Sequence, residues 1–324
     1  MTEPFVRPDV RGFLDFLNAV PGPKMHEVDV QTARGMYLMM KDVADLPLGE
    51  LGATIDLTIP SPAGGIPARL FDPRASREPG PVVAFFHGGG FVIGDLESHA
   101  SYCAEMARVL DLPVISVDYR RAPEAKWPAA PDDCEAAARW IAESPHAIGR
   151  SVTSLVLCGD SAGGNLTIVT AMALRDAPAS VPVIAQLCFY PATDSSRVYP
   201  SYDAYSEGFL LTRDTMNWFM DAYAGENEDV RTSPLLGELA GLPAAVVVTA
   251  SLDPIRDQGR AYAAALATAG VQVTFREACG NVHGFITLRK VIPSSNADVT
   301  AALAALQDII AEEAGNRVMT QAAA

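Results

Sequence analysis

The sequence predicts an α/β protein: a mostly parallel sheet of eight strands, helices on both of its faces, and a helical cap. Three observations predict it. Eight short apolar runs, most of them rich in β-branched residues or bounded by Gly, Pro or Asp, recur along the 324 residues. Helix-patterned segments fall between several of them, as the crossovers of a parallel sheet require. Two further helical stretches stand outside this alternation.

In chain order, residues 1–50 come first, with helical spacing at Phe13, Leu14, Phe16 and Leu17 and again at Met36, Tyr37, Leu38, Met39 and Met40. Strands are expected near 53–59, 68–71, 82–86, 114–118, 154–158, 184–189, 244–250 and 271–275. Helices are expected near 97–110, 131–142, 162–175, 254–269 and 296–312. A long insert at 195–235 holds Tyr199, Tyr202, Tyr205, Phe209, Trp218, Phe219 and Tyr223, a large share of the aromatics in a small space. The organisation expected is one α/β domain at 51–194 and 236–324, with 1–50 and 195–235 packing together as a lid; an ordinary helical hairpin with its own core is the alternative for the insert.

The chain carries 24 Lys and Arg against 39 Asp and Glu, a formal net charge of −15. A field of that sign repels phosphate backbones and anionic membrane surfaces, which disfavours nucleic acid and favours a neutral or cationic small molecule as partner. No apolar run approaches the roughly 20 residues of a membrane span. The first eight residues lack the basic-then-apolar layout of a signal peptide. Cys103, Cys134, Cys158, Cys188 and Cys279 are odd in number and scattered, with no C-x-x-C pair and no His at metal-ligand spacing. They read as reduced thiols of a cytoplasmic protein with neither a metal nor another cofactor.

The chemistry is concentrated at Gly159-Asp160-Ser161-Ala162-Gly163. A Ser hydroxyl is a poor nucleophile until a base takes its proton and its position is fixed, and a sharp strand-to-helix turn does the positioning. Leu155-Val156-Leu157-Cys158 supplies the strand, Gly159 and Gly163 leave room where side chains would clash, and Gly164-Asn165-Leu166-Thr167 continues into a helix. The five-residue pattern alone can arise by chance. A second motif, His87-Gly88-Gly89-Gly90-Phe91, directly follows the strand at 82–86. Its glycines let backbone N–H groups approach a developing oxyanion, together with the N–H of Ala162.

Five histidines compete for the role of base. His87 opens the glycine loop and braces it, His26 lies in the N-terminal segment, and His99 and His146 fall in or after helices. His283 follows the last strand, in Cys279-Gly280-Asn281-Val282-His283-Gly284-Phe285, at the carboxyl edge of the sheet where ligands bind. For the orienting acid, Ser251-Leu252-Asp253-Pro254-Ile255-Arg256-Asp257 offers two carboxylates. Asp253 is preferred because it precedes Pro254, a residue suited to a first helical turn, with Asp257 as the alternative. Ser161, Asp253 and His283 then stand in the order this chemistry takes in such sheets.

On these motifs the chain resembles the bacterial hormone-sensitive-lipase-like esterases, a branch of the α/β-hydrolases, from about residue 50 to about 290. Besides His87–Gly90, 159–163 and His283-Gly284-Phe285, the run Asp118-Tyr119-Arg120-Arg121-Ala122-Pro123-Glu124 is similar to the family's D-Y-R-L-A-P-E, with Arg121 in place of Leu. The resemblance implies an α/β-hydrolase fold and hydrolysis of carboxylic esters with short to medium acyl chains. It implies that Gly89 and Gly90 join Ala162 as oxyanion donors, where the motif alone leaves Gly88 and Gly89 as a possible pair. It also implies a cap over the site, and homodimers are common in the family. Phe91, Phe209, Trp218 and Tyr223 are the candidate pocket-lining aromatics. An amidase or carbamate hydrolase on the same triad is the alternative enzyme. A non-catalytic small-molecule receptor is the other alternative, and competent residues at all three triad positions argue against it.

Overall fold

The computed structural model describes residues 3–322. All eight expected strands form: β1 Ala53–Ser61, β2 Gly64–Asp72, β3 Gly80–Phe86, β4 Val114–Val117, β5 Val152–Asp160, β6 Val183–Phe189, β7 Ala244–Leu252 and β8 Val273–Val282. They make one sheet in the order β1-β2-β4-β3-β5-β6-β7-β8. β1 and β2 form a hairpin, β2 runs antiparallel to β4, and every other pair is parallel. The expected 68–71 strand is longer than its apolar core because the turn at Ser61–Gly64 carries it into full register with β1.

Nine α-helices are described: α1 Pro8–Ala19, α2 Val30–Ala44, α3 Ala100–Leu110, α4 Ala129–Ala142, α5 Ala162–Asp176, α6 Pro200–Tyr205, α7 Arg213–Tyr223, α8 Arg256–Thr268 and α9 Ser295–Ala322. Successive side chains of a strand point to opposite faces, and β3 reads accordingly. Val82, Ala84 and Phe86 belong to the buried cluster that includes residues of α4, α5 and α8, and Val83 and Phe85 to the cluster that includes residues of α3 and α9. These β3 residues have no exposed surface, and each buried Val or Phe contributes roughly 1.5–3 kcal/mol relative to leaving it in water.

Helix α1 packs through Val10, Phe13 and Leu14 against Leu252 and Val282, the last residues of β7 and β8. Helix α2 is tied to the α/β body by a buried ion pair: the Arg289 guanidinium donates to both oxygens of Asp45 at 2.8 and 2.9 Å and to Ser101 Oγ at 2.8 Å. Both partners are almost wholly buried. Arg289→Ala leaves the Asp45 carboxylate buried without its cation, which costs about 3–5 kcal/mol and lowers Tm by about 10 °C. Thermal unfolding of the variant tests this, and Asp45→Ala in the same chain is expected to restore part of the loss. Among the described residues no helix is long and apolar enough to cross a membrane.

Candidate active site

Strand β5 ends at Asp160 and helix α5 begins at Ala162, so the whole reversal falls on Ser161. Its backbone is forced to φ 55°, ψ −117°, a region costly for a residue with a side chain and held only where the surroundings over-determine it. The crowding is severe: a Cβ at Gly163 would lie 1.9 Å from the Phe86 carbonyl oxygen. The turn is therefore pressed against the end of β3, where the glycine loop starts.

His283 stands directly after β8, which runs to Val282 instead of stopping near residue 275. Asp253 stands directly after β7. The three side chains meet in one line: His283 Nδ1 lies 2.7 Å from Asp253 Oδ2, and His283 Nε2 lies 2.8 Å from Ser161 Oγ. A carboxylate only accepts, so Nδ1 carries the proton and the Nε2 lone pair faces the serine hydroxyl. Asp253 is fully buried, and its other oxygen accepts from the Ile255 N–H at 2.9 Å. The Tyr190 ring packs beside the imidazole at 4.6 Å between centroids. Asp257 is elsewhere: it accepts from the Ser201 N–H and pairs with Arg256 and Arg260, fastening α6 to α8.

The glycine loop is braced as expected of His87, whose Nδ1–H donates to Gly88 O at 2.7 Å while its ring stacks on Tyr119 at 4.3 Å. Gly89, Gly90 and Phe91 all have positive φ, at 114°, 59° and 63°. One of the three glycine N–H groups is already occupied. The Gly88 N–H donates to Asp160 Oδ1 at 2.7 Å, which removes Gly88 from the candidate oxyanion donors. Gly89 and Gly90 have no such acceptor among the described residues.

The chain is similar to known esterases over most of its length. Residues 83–287 match the α/β hydrolase fold family. Esterase LipI of Mycobacterium tuberculosis is 36% identical over 92% of this chain and 94% of its own length. The ethyl acetate hydrolase of Pseudomonas putida is 33% identical over 93% of this chain and 98% of its own. The solved structure of an ester hydrolase from the Lake Arreo metagenome superposes with a TM-score of 0.89 at 36% identity, over 94% of this chain and 98% of that one. The chain belongs to the hormone-sensitive-lipase-like carboxylesterases.

In this carboxylesterase the site extends beyond the residues singled out by sequence. Asp160 is buried directly behind the nucleophile turn, 3.3 Å from His99 Nε2. Burial alone would raise its pKa, but His99 and the Gly88 N–H outweigh that and hold it below the ordinary carboxylate value. Asp160 therefore stays ionised and anchors the start of the glycine loop. Its place next to Ser161 was a signal that sequence reasoning passed over. His99 offered none, since a helix-start histidine carries no mark of what lies beneath it.

The candidate pocket aromatics divide. Tyr223 has no exposed surface for a ligand to touch and stacks at 3.8 Å on Phe91, which is 6 % exposed. Phe209 is partly buried in the cluster around α1 that includes Leu252 and Val282. Trp218 is partly buried beside Phe219, 5.2 Å away. Phe219, absent from the candidate list, is the ring at the site: a Cβ on Gly90 would fall 2.2 Å from it. Its spacing of four from Tyr223 places both on one face of α7.

Proposed function

We propose that the carboxylesterase hydrolyses short- to medium-chain acyl esters through Ser161, His283 and Asp253. The observation that carries this reading is the unbroken line of hydrogen bonds from Asp253 through His283 to Ser161 Oγ. As Ser161 Oγ attacks the ester carbonyl, His283 Nε2 takes its proton, and Asp253 holds the ring and stabilises the imidazolium. The N–H groups of Gly89, Gly90 and Ala162 receive the oxyanion. His283 returns the proton to the departing alkoxide, leaving an acyl-enzyme that water, deprotonated by His283, then hydrolyses. No cofactor enters this scheme.

Helices α1, α2, α6 and α7 form the cap in this reading. Two contacts support it: His26 Nδ1 lies 3.1 Å from Thr215 Oγ1, joining the N-terminal segment to α7, and Phe219 of α7 covers Gly90. A ring so close to an oxyanion donor limits the room for the acyl chain or the alcohol. The relative that is an ethyl acetate hydrolase supports a short-chain preference.

A panel of p-nitrophenyl esters from acetate to dodecanoate, with the matching anilides, tests the reading. We expect a short- to medium-chain optimum, with anilides cleaved far more slowly. Phe219→Ala is expected to shift the optimum to longer chains, raising kcat/KM for them by roughly 10-fold, the scale of one or two methylenes in an apolar pocket. Faster cleavage of anilides, or an unchanged profile in Phe219→Ala, would contradict it.

A further inference from the structure

Gly89 and Gly90 reach positive φ at little cost, but Phe91 at φ 63° carries a side chain into a region that local preference disfavours. Bonds within the turn close it, and a further one arrives from elsewhere in the chain. The Val92 and Ile93 N–H groups donate to Gly89 O at 3.0 and 2.9 Å, and the Ala122 N–H donates to Phe91 O at 2.9 Å. Both Val92 and Ala122 are in turn gripped by one side chain of helix α2. Arg34 donates from Nε to Val92 O at 2.8 Å and from Nη2 to Ala122 O at 2.9 Å, and its remaining fork binds both oxygens of Glu124 at 2.7 Å.

We infer that Arg34 is a positioning residue for the oxyanion loop, so that docking of helix α2 and the competence of the Gly89 and Gly90 N–H donors are one structural event. This rests on the catalytic reading above. The guanidinium is suited to the task because its planar fork satisfies two carbonyls and a carboxylate at once, which a lysine ammonium at the end of a flexible stem does not. Hydrogen bonding from Arg34 holds the Glu124 carboxyl down at about 2. A lowered carboxylate pKa gives a contribution that is complete above the unfolded value and lost as pH falls through the folded one. The clamp therefore persists until the solution is strongly acidic.

A residue that merely stabilised the fold would change the amount of active protein and not the chemistry per site. The test uses Arg34→Gln, Arg34→Lys and Glu124→Gln in the full chain, with rates expressed per Ser161 labelled to completion by a fluorophosphonate. The second readout is the affinity of a trifluoromethyl ketone. Ser161 Oγ adds to its carbonyl carbon, the hydroxyl proton passes to His283, and the carbonyl oxygen becomes an oxyanion at the glycine loop. Both Arg34 variants are expected to lose ~10- to 100-fold in kcat with KM changed less than about threefold, below the 10²–10³ of a deleted oxyanion donor. Ketone affinity should fall by the same factor as kcat/KM. Glu124→Gln, which loosens the guanidinium without removing it, should lose roughly threefold or more in both. Wild-type kcat per labelled site in the Arg34 variants, or a kcat loss with unchanged ketone affinity, overturns the inference. If the Arg34 variants do not fold, wild-type behaviour of Glu124→Gln overturns it alone. Ser161→Ala is the control: its activity would overturn the catalytic reading, whereas an inactive Ser161→Ala beside a fully active Arg34→Gln would overturn only the role of Arg34.

Discussion

Replacing Ser161 by Ala is expected to lower kcat by roughly 10⁵-fold or more, replacing His283 by Ala by a similar factor, and replacing both by no more than either alone. The reason lies in the 2.8 Å contact between His283 Nε2 and Ser161 Oγ. The imidazole has no proton to take once the hydroxyl is gone, and the hydroxyl has no base once the imidazole is gone. Each deletion thus removes the same event, worth about 7 kcal/mol at 1.36 kcal/mol per decade. A residual rate above water is expected in all three variants from the untouched oxyanion loop. Initial rates on a p-nitrophenyl ester, corrected for spontaneous hydrolysis, measure it. Additive losses in the double variant would mean that the two residues act independently and that the hydrogen-bonded line is not a catalytic unit.

The second large effect is expected at Asp253 and not at Asp257. Asp253→Asn should lower kcat by roughly 10³–10⁴-fold. An amide placed where Asp253 Oδ2 now lies 2.7 Å from His283 Nδ1 can donate to that nitrogen, which moves the ring proton to Nε2 and aims an N–H at Ser161 in place of a lone pair. Asp257→Asn leaves that tautomer untouched. It weakens the bond from the Ser201 N–H and the pairing with Arg256, so it should leave kcat within about threefold and act mainly on the attachment of α6. Parallel kcat and thermal-unfolding measurements on the two variants decide the matter. A severe loss at 257 with little at 253 would move the acid by one turn of helix.

Much of the molecule was legible because its signals are local. Short apolar runs located every strand, since a sheet covered on both faces buries consecutive residues of its central strands. The end of β8 escaped that logic. Residues 276–281 are polar, small or turn-like in sequence, and the strand continues through them by pairing with β7. The glycines at 159 and 163 announced a tight turn because only a missing side chain fits there. The preference for Asp253 over Asp257 rested on the place of Pro254, and in the structure only Asp253 reaches His283.

By itself, then, the amino-acid sequence determined the fold class and pointed to Ser161, Asp253, His283 and the glycine loop, because each of these is marked by a short local motif. Tertiary structure alone decided which groups are already taken. The Gly88 N–H is bound by Asp160 from a strand 72 residues away in sequence, Tyr223 is buried against Phe91, and Arg34 grips the backbone at Val92 and Ala122. A backbone donor carries no mark of its partner in the sequence, and an aromatic residue carries none of whether it faces a ligand or a neighbour. Both depend on contacts between distant segments, which exist only once the chain has closed on itself.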